Sequence, residues 1–226
     1  MKNYRKKSPP GSREENYSLL LLAGGKSSRM GRDKAELLLE GRSFLSCIIE
    51  KGAKLGIREI YLSGHGWNEG GAIVHEVPDR YRERGPLGGM YSCMPAMDTP
   101  YALVLPVDMP QIPLQILERL LQAHEEKLSG CAPSEDCPQG KNPGSGRPLL
   151  LAHGDRTEPL IGIYPTALGE RIGRLIENKA APVFRLLDET GYDICRVSAE
   201  EWELENINTP EDYQRLTALR KRGKTE

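Results

Sequence analysis

Tyr17-Ser18-Leu19-Leu20-Leu21-Leu22-Ala23-Gly24-Gly25-Lys26-Ser27-Ser28-Arg29-Met30-Gly31-Arg32-Asp33-Lys34 is the stretch whose reading decides the fold. The run 17–23 is apolar without alternating, so it reads as a strand buried on both faces, as in a parallel sheet covered by helices. Two adjacent glycines stop the strand and open a polar loop. Without a Cβ they let backbone amides come close to an anion. Lys26, Arg29 and Lys34 bring positive charge to the same loop. That combination suits a triphosphate and the pyrophosphate it releases, since cations balance charge spread over phosphate oxygens. A solvated surface loop would carry the same residue types. Two other phosphate motifs do not fit. The Gly-x-Gly-x-x-Gly of dinucleotide sites is missing, and Leu20 stands where a P-loop ending in Gly25-Lys26-Ser27 needs its first glycine.

Outward from this stretch, strands and helices alternate. Ser43 is placed to cap a helix whose face is Phe44, Leu45, Ile48, Ile49 and Leu55. Ile57-Ser63 and Ala72-Val77 read as strands, and Gly88-Ala96 as a short helix after a loop from Pro78 to about Leu87. Tyr101-Val107 is the second strongly apolar strand and ends at Asp108. Pro113 opens a helix carrying Leu114, Ile116, Leu117, Leu120 and Leu121. Leu128-Pro133 reads as another strand. Leu149-Ala152 and Leu160-Tyr164 flank a turn at His153-Gly154-Asp155. Ile172, Leu175 and Ile176 suit a helix, as do Val183, Leu186 and Leu187. Tyr192-Val197 reads as a late strand, and Thr209-Pro210-Glu211-Asp212 as the start of a last helix. The pattern predicts a single-domain, three-layer α/β/α fold with a mostly parallel, Rossmann-like sheet over residues 17–218. Residues 1–16 read as a flexible N-terminal tail, 219–226 as a frayed C-terminal tail, and 134–147 as a surface insertion.

The 226 residues suffice for the core of one such domain. Lys and Arg total 31 against 32 Asp and Glu, a formal net charge of -1, which argues against a nucleic-acid binder. No apolar run reaches the roughly 18 residues of a membrane helix, and Leu19-Leu22 is too short for a signal-peptide core. A cytoplasmic protein without membrane partners is the expectation. The five cysteines form no CxxC pair, and His65, His75, His124 and His153 lack metal-site spacing.

Asp108 follows Leu103-Val104-Leu105-Pro106-Val107. Ligands of open α/β sheets bind outside the carboxyl ends of strands, where a carboxylate can hold Mg2+ against nucleotide phosphates. Taken alone, it equally suits a turn or helix cap. Asp79, among Arg80, Arg82 and Arg84, suits either a substrate contact or a surface ion pair.

Together these segments resemble the molybdenum cofactor guanylyltransferases, a family of NTP-transferases. The resemblance rests on five segments in order over about residues 17–218. They are Leu22-Ala23-Gly24-Gly25 with Arg29-Met30-Gly31 and Asp33-Lys34; Asp79 with Gly85-Pro86-Leu87-Gly88-Gly89; Asp108-Met109-Pro110; Glu158-Pro159-Leu160 with Ile163-Tyr164; and Asn206-Ile207-Asn208-Thr209-Pro210-Glu211-Asp212. The resemblance implies a nucleotidyltransferase fold and transfer of GMP from GTP to molybdopterin, with Mg2+ as cofactor and pyrophosphate released. It implies GTP binding by Leu22, Ala23, Gly24, Gly25, Lys26, Lys34, Asp79 and Asp108, catalysis by Arg29, Lys34 and Asp108, and metal binding by Asp108. Asn206 and Asn208 would border the incoming pterin. Molybdenum-insertion proteins and recipient molybdoenzymes or their chaperones are the partners implied. One departure stands out: Gly64 lies where the family often has an asparagine near guanine. Guanine selectivity would then rest on backbone groups or be altered. Cytidylyl transfer to molybdopterin, transfer to a sugar or polyol phosphate, and a non-catalytic GTP-binding regulator are the alternatives.

Overall fold

A computed structural model of the chain describes residues 11–23, 36–64, 73–81, 83–129, 146–177 and 179–222. In chain order the elements are α1 (Arg13–Asn16), β1 (Tyr17–Leu22), β2 (Leu38–Leu39), β3 (Arg42–Ser43), α2 (Phe44–Lys54), β4 (Glu59–Ser63), β5 (Ile73–Val77), α3 (Gly85–Cys93), β6 (Tyr101–Pro106), α4 (Leu114–Leu128), β7 (Leu149–His153), β8 (Arg156–Pro165), α5 (Gly169–Ile176), α6 (Val183–Thr190), β9 (Asp193–Val197) and α7 (Pro210–Arg222). Seven strands form one sheet in the order β5-β4-β1-β6-β8-β7-β9, and β2 and β3 form a separate hairpin. In the large sheet β8 alone runs antiparallel to its neighbours.

The apolar β1 is central because both of its faces are needed. Successive strand side chains point to opposite faces. Tyr17, Leu19 and Leu21 join Leu45, Ile48 and Ile49 of α2 and Leu117, Leu120 and Leu121 of α4. Leu20 and Leu22 join Leu87 and Met90 of α3, Ile172 of α5 and Leu186 of α6. The result is the expected three-layer arrangement. A smaller cluster of Leu39, Phe44, Ile207 and Leu216 fastens the β2–β3 hairpin and α7 to the start of α2.

The helix starts follow their capping residues. Ser43 Oγ accepts from Ser46 N at 3.1 Å at the head of α2. At α7, Thr209 Oγ1 accepts from Asp212 N at 3.2 Å, and Asp212 Oδ2 accepts from Thr209 N at 2.9 Å, a reciprocal cap. At the amino edge of the sheet Tyr17 Oη lies 2.9 Å from His124 Nδ1, with Tyr101 edge-on to the same ring.

Several boundaries differ from the sequence expectation. The helix expected from Gly88 starts at Gly85, so Gly85-Pro86-Leu87, read as the end of a loop, belongs to the first turn of α3, with Pro86 where a helix tolerates it. Leu128 closes α4 instead of opening a strand; Gly130–Pro133 lie outside the described residues. Residues 13–16, assigned to the N-terminal tail, form a helical turn whose Arg13 pairs with Glu118 and Glu125 of α4 at 2.7 and 2.6 Å. α7 runs on to Arg222, into the segment assigned to the C-terminal tail. Of the 134–147 insertion only Gly146 and Arg147 are described, and the Arg147 guanidinium lies beside Gly191.

Candidate active site

The strand order places a switch point between β1 and β6. The chain leaves β1 through α2 toward β4 and β5, then returns through α3 to β6 on the other side of β1. At such a point the connections diverge and leave a crevice at the carboxyl ends of the strands. Leu22 ends β1 at this crevice and Ala23 follows it; both are buried. Val107 N donates to Leu22 O at 3.2 Å, so the chain beyond β6 stays against β1 for one more residue. Asp108 follows immediately and is half-buried.

The segment Asn206-Ile207-Asn208 meets Asp108 through the backbone. Ile207 N donates to Asp108 O at 2.8 Å, and the Ile207 side chain is buried in the cluster with Leu39 and Leu216. Asn206 is half-buried and Asn208 exposed. The Asn208 amide is taken up by Asp212 Oδ2 at 3.0 Å. Burial alone would raise the Asp212 carboxyl, but the amides of Asn208 and Thr209 and the Thr209 hydroxyl outweigh it and hold it below the usual range. The structure thus brings Leu22, Ala23, Asp108, Asn206 and Asn208 to one end of the sheet.

Asp79 lies two residues beyond β5, at the sheet edge. Three strand spacings of about 4.8 Å separate β5 from β6, roughly 14 Å along the carboxyl edge. Asp79 is close enough to α3 for its charge to act on Cys93, whose thiol is pushed up to about 12 first by burial and then by that carboxylate. Beside Asp79, Arg80 N donates to Ser92 Oγ at 2.9 Å, which fastens the segment to α3. The head of α3 presses against the ends of β1 and β4. A Cβ at Gly89 would stand 2.6 Å from Ser63 Oγ and 3.0 Å from Leu22 Cδ2. Gly64, just past β4, has φ +82°, and its amide donates to Val77 O at 3.2 Å. That left-handed conformation suits glycine and, among side-chain-bearing residues, asparagine best.

Glu158-Pro159-Leu160 belongs to an irregularity in β8. Leu150 pairs with Gly162 but Leu151 with Glu158, leaving three extra residues on β8. The extra residues lie just beyond the last β6 pair, Val104 with Gly162, and so beside the end of β6. Bulges of this kind re-aim the chain next to sites. Gly24, Gly25, Lys26, Arg29 and Lys34 lie outside the described residues. The chain enters that segment from Ala23, at the crevice.

Among the described residues no cluster of three or more His, Cys, Asp or Glu side chains is built to hold a metal. Asp108 nevertheless fits a hard divalent cation in one setting. Mg2+ keeps few protein ligands and completes its shell with water and substrate phosphates, so a single carboxylate at a nucleotide crevice is an adequate anchor. Also among the described residues, no helix is long and apolar enough to cross a membrane.

The sequence matches the MobA-like NTP transferase domain family over residues 19–192. The chain belongs to this family. As a MobA-like NTP transferase it is a nucleotidyltransferase enzyme. It is 31% identical over 205 residues to the molybdenum cofactor guanylyltransferase of Pseudomonas aeruginosa, covering 89% of this chain and 95% of that one. In fold it is similar to the molybdopterin-guanine dinucleotide biosynthesis protein A of Archaeoglobus fulgidus. That likeness has a TM-score of 0.65 at 19% identity and covers 91% of this chain and 99% of that chain. It is also similar to the Rv0371c protein of Mycobacterium tuberculosis in complex with manganese, with a TM-score of 0.59 at 15% identity over 90% and 98% of the two chains. The seven-stranded, mostly parallel sheet is the fold expected of this MobA-like transferase.

Reading the sequence missed three contributors at this end of the sheet: Ser63, Ile207 as a backbone partner of Asp108, and Gln111. Gln111 was detectable in principle, as one polar residue inside Met109-Pro110-Gln111-Ile112-Pro113.

Proposed function

We propose that this protein transfers GMP from GTP to molybdopterin and releases pyrophosphate, forming molybdopterin guanine dinucleotide. The observation that carries the reading is Asp108 at the β1–β6 crevice, bonded through its carbonyl to the segment of Asn206 and Asn208. In this reading the Asp108 carboxylate would serve the nucleotide side and the Asn206 and Asn208 amides the acceptor side. The 31% identical relative is named a molybdenum cofactor guanylyltransferase, which supports a guanylyl donor and a molybdenum-cofactor acceptor.

In this reading a phosphate oxygen of molybdopterin attacks the α-phosphorus of GTP. The new P–O bond forms as the bond to the β-phosphate oxygen breaks, and pyrophosphate leaves. The nucleophile is already anionic near neutral pH, so no general base is required. Positioning and charge neutralisation carry the rate. Gly24, Gly25 and the backbone of Leu22 and Ala23 would cradle the nucleotide. Lys26, Arg29 and Lys34 would meet the phosphates, with Arg29 and Lys34 countering charge on the leaving group. Asp79, about 14 Å along the edge from β6, suits the far end of a nucleotide whose phosphates lie near Asp108. Asp108 would hold Mg2+, which supplies orientation and neutralisation of the triphosphate. Asn206 and Asn208 would face the pterin. With Gly64 bearing no side chain, guanine would be read by backbone groups.

Asp108→Asn tests the assignment. It keeps the shape but removes the negative charge and leaves one neutral carbonyl oxygen, and kcat/KM should fall on the order of a hundredfold or more at limiting Mg2+ while the thermal transition stays near wild type. Wild-type turnover at limiting Mg2+ would remove Asp108 from the metal.

A further inference from the structure

Four consecutive carbonyls of the turn Asp108–Gln111 each accept a hydrogen bond. Asp108 O accepts from Ile207 N at 2.8 Å and Met109 O from Ile112 N at 3.3 Å. Pro110 O accepts from Lys51 Nζ of α2, and Gln111 O from Arg220 Nη2 of α7 at 3.4 Å. Three of these donors come from distant parts of the chain. Burial of the Lys51 ammonium pushes its pKa down to about 8, so this contact is made against a real desolvation cost.

The Gln111 side chain does something more. It is 1% exposed, and its Nε2 donates to Trp202 O at 3.1 Å and to Glu205 O. Both acceptors lie just before Asn206. Two carbonyl oxygens converging on one end of the amide fix its orientation, because only the nitrogen end can donate. A buried amide is disfavoured unless its bonds are made, and an apolar side chain would fill this space without that penalty. What the amide adds is a side-chain link between the turn and the segment that leads into Asn206.

We propose that Gln111 is a positioning residue that holds the Asn206–Asn208 segment against the turn carrying Asp108, setting the distance between the acceptor and nucleotide sides of the site. The assignment of those two sides rests on the function proposed above. Gln111 ties down the chain on the N-terminal side of the Ile207–Asp108 backbone bond, while the Thr209–Asp212 cap ties down the other side.

The test compares wild type with Gln111→Met, which keeps length and volume but removes both donors. Amide hydrogen exchange of the free protein should be at least tenfold faster at Ile207, with Leu20–Leu22 of β1 within twofold. In the transfer assay the KM for molybdopterin should rise about tenfold while that for GTP stays within twofold. A purely packing role would lower the active fraction, and so kcat, without splitting the two KM values. Gln111→Asn, which keeps the donors on a shorter arm, should give an intermediate exchange rate, and it keeps the test in force if the methionine variant unfolds. Unchanged exchange at Ile207, or KM values that do not separate, would overturn the proposal. If the wild-type protein transfers nothing to molybdopterin, the proposed function fails, yet exchange at Ile207 still decides whether Gln111 holds the segment.

Discussion

Replacing Gly89 with alanine puts a methyl group where α3 touches the ends of β1 and β4. Its Cβ would stand 2.6 Å from Ser63 Oγ and 3.0 Å from both Ser63 Cβ and Leu22 Cδ2. Ser63 is 1% exposed and Leu22 is buried, so neither can swing into solvent. Overpacking at such a site costs about 1–3 kcal/mol, and a contact this short belongs at the upper end. Alanine gains about 1 kcal/mol of helix propensity over glycine. The balance is a net loss of about 2 kcal/mol, or a fall in Tm of about 4–8 °C for a chain of this size. Urea unfolding at constant m measures it. Adding Ser63→Ala removes the 2.6 Å clash but leaves the two at 3.0 Å, so the double variant should recover about half of the loss. A Gly89→Ala protein as stable as wild type would refute the close approach, leaving Gly88-Gly89 to be explained by something other than helix-to-sheet packing.

Two further predictions concern particular groups. Burial pushes His124 down to about 4 from 6.5, with Lys127 adding to the effect. The unfolded chain therefore takes up a proton below 6.5 that the folded chain accepts only near 4, and stability falls as pH drops through this window, by about 3 kcal/mol in full. Urea unfolding between pH 7 and 4.5 should show a shallower slope in His124→Gln than in wild type; equal slopes would remove His124 from the acid response. At Gly64 the φ of +82° admits asparagine, so Gly64→Asn should fold with stability within about 1 kcal/mol of wild type. It should also raise the preference for GTP over CTP severalfold in competition assays. An unchanged preference would place the base away from the end of β4.

The fold was legible where burial leaves its mark on composition. β1 and β6 are covered on both faces and read as apolar runs interrupted only by Ser18, and the two strands bracket the crevice. The start of α3 was less legible because its first turn is glycine-rich. Glycine is a poor helix former, and it is tolerated at position 89 because the packing there excludes a side chain. Leu128 misled because an apolar residue at a helix end is locally indistinguishable from the first residue of a strand. In the site, Asp108 could be anticipated from its place after an apolar strand. Its union with Ile207 could not, because a backbone hydrogen bond between distant segments leaves no signature in side chains. Gln111 is similar: its polarity is visible, but its two acceptors are backbone carbonyls that any residue would supply. The bulge at Pro159–Ile161 is hidden because β8 stays apolar through it.

The most direct measurement offers the purified protein molybdopterin with GTP, CTP, ATP or UTP in turn, each with Mg2+, and identifies the product by mass spectrometry alongside a pyrophosphate assay. The account predicts molybdopterin guanine dinucleotide from GTP, with one pyrophosphate released per molybdopterin consumed and GTP strongly preferred. A cytosine dinucleotide as the main product, or GTP bound without any release of pyrophosphate, would contradict it.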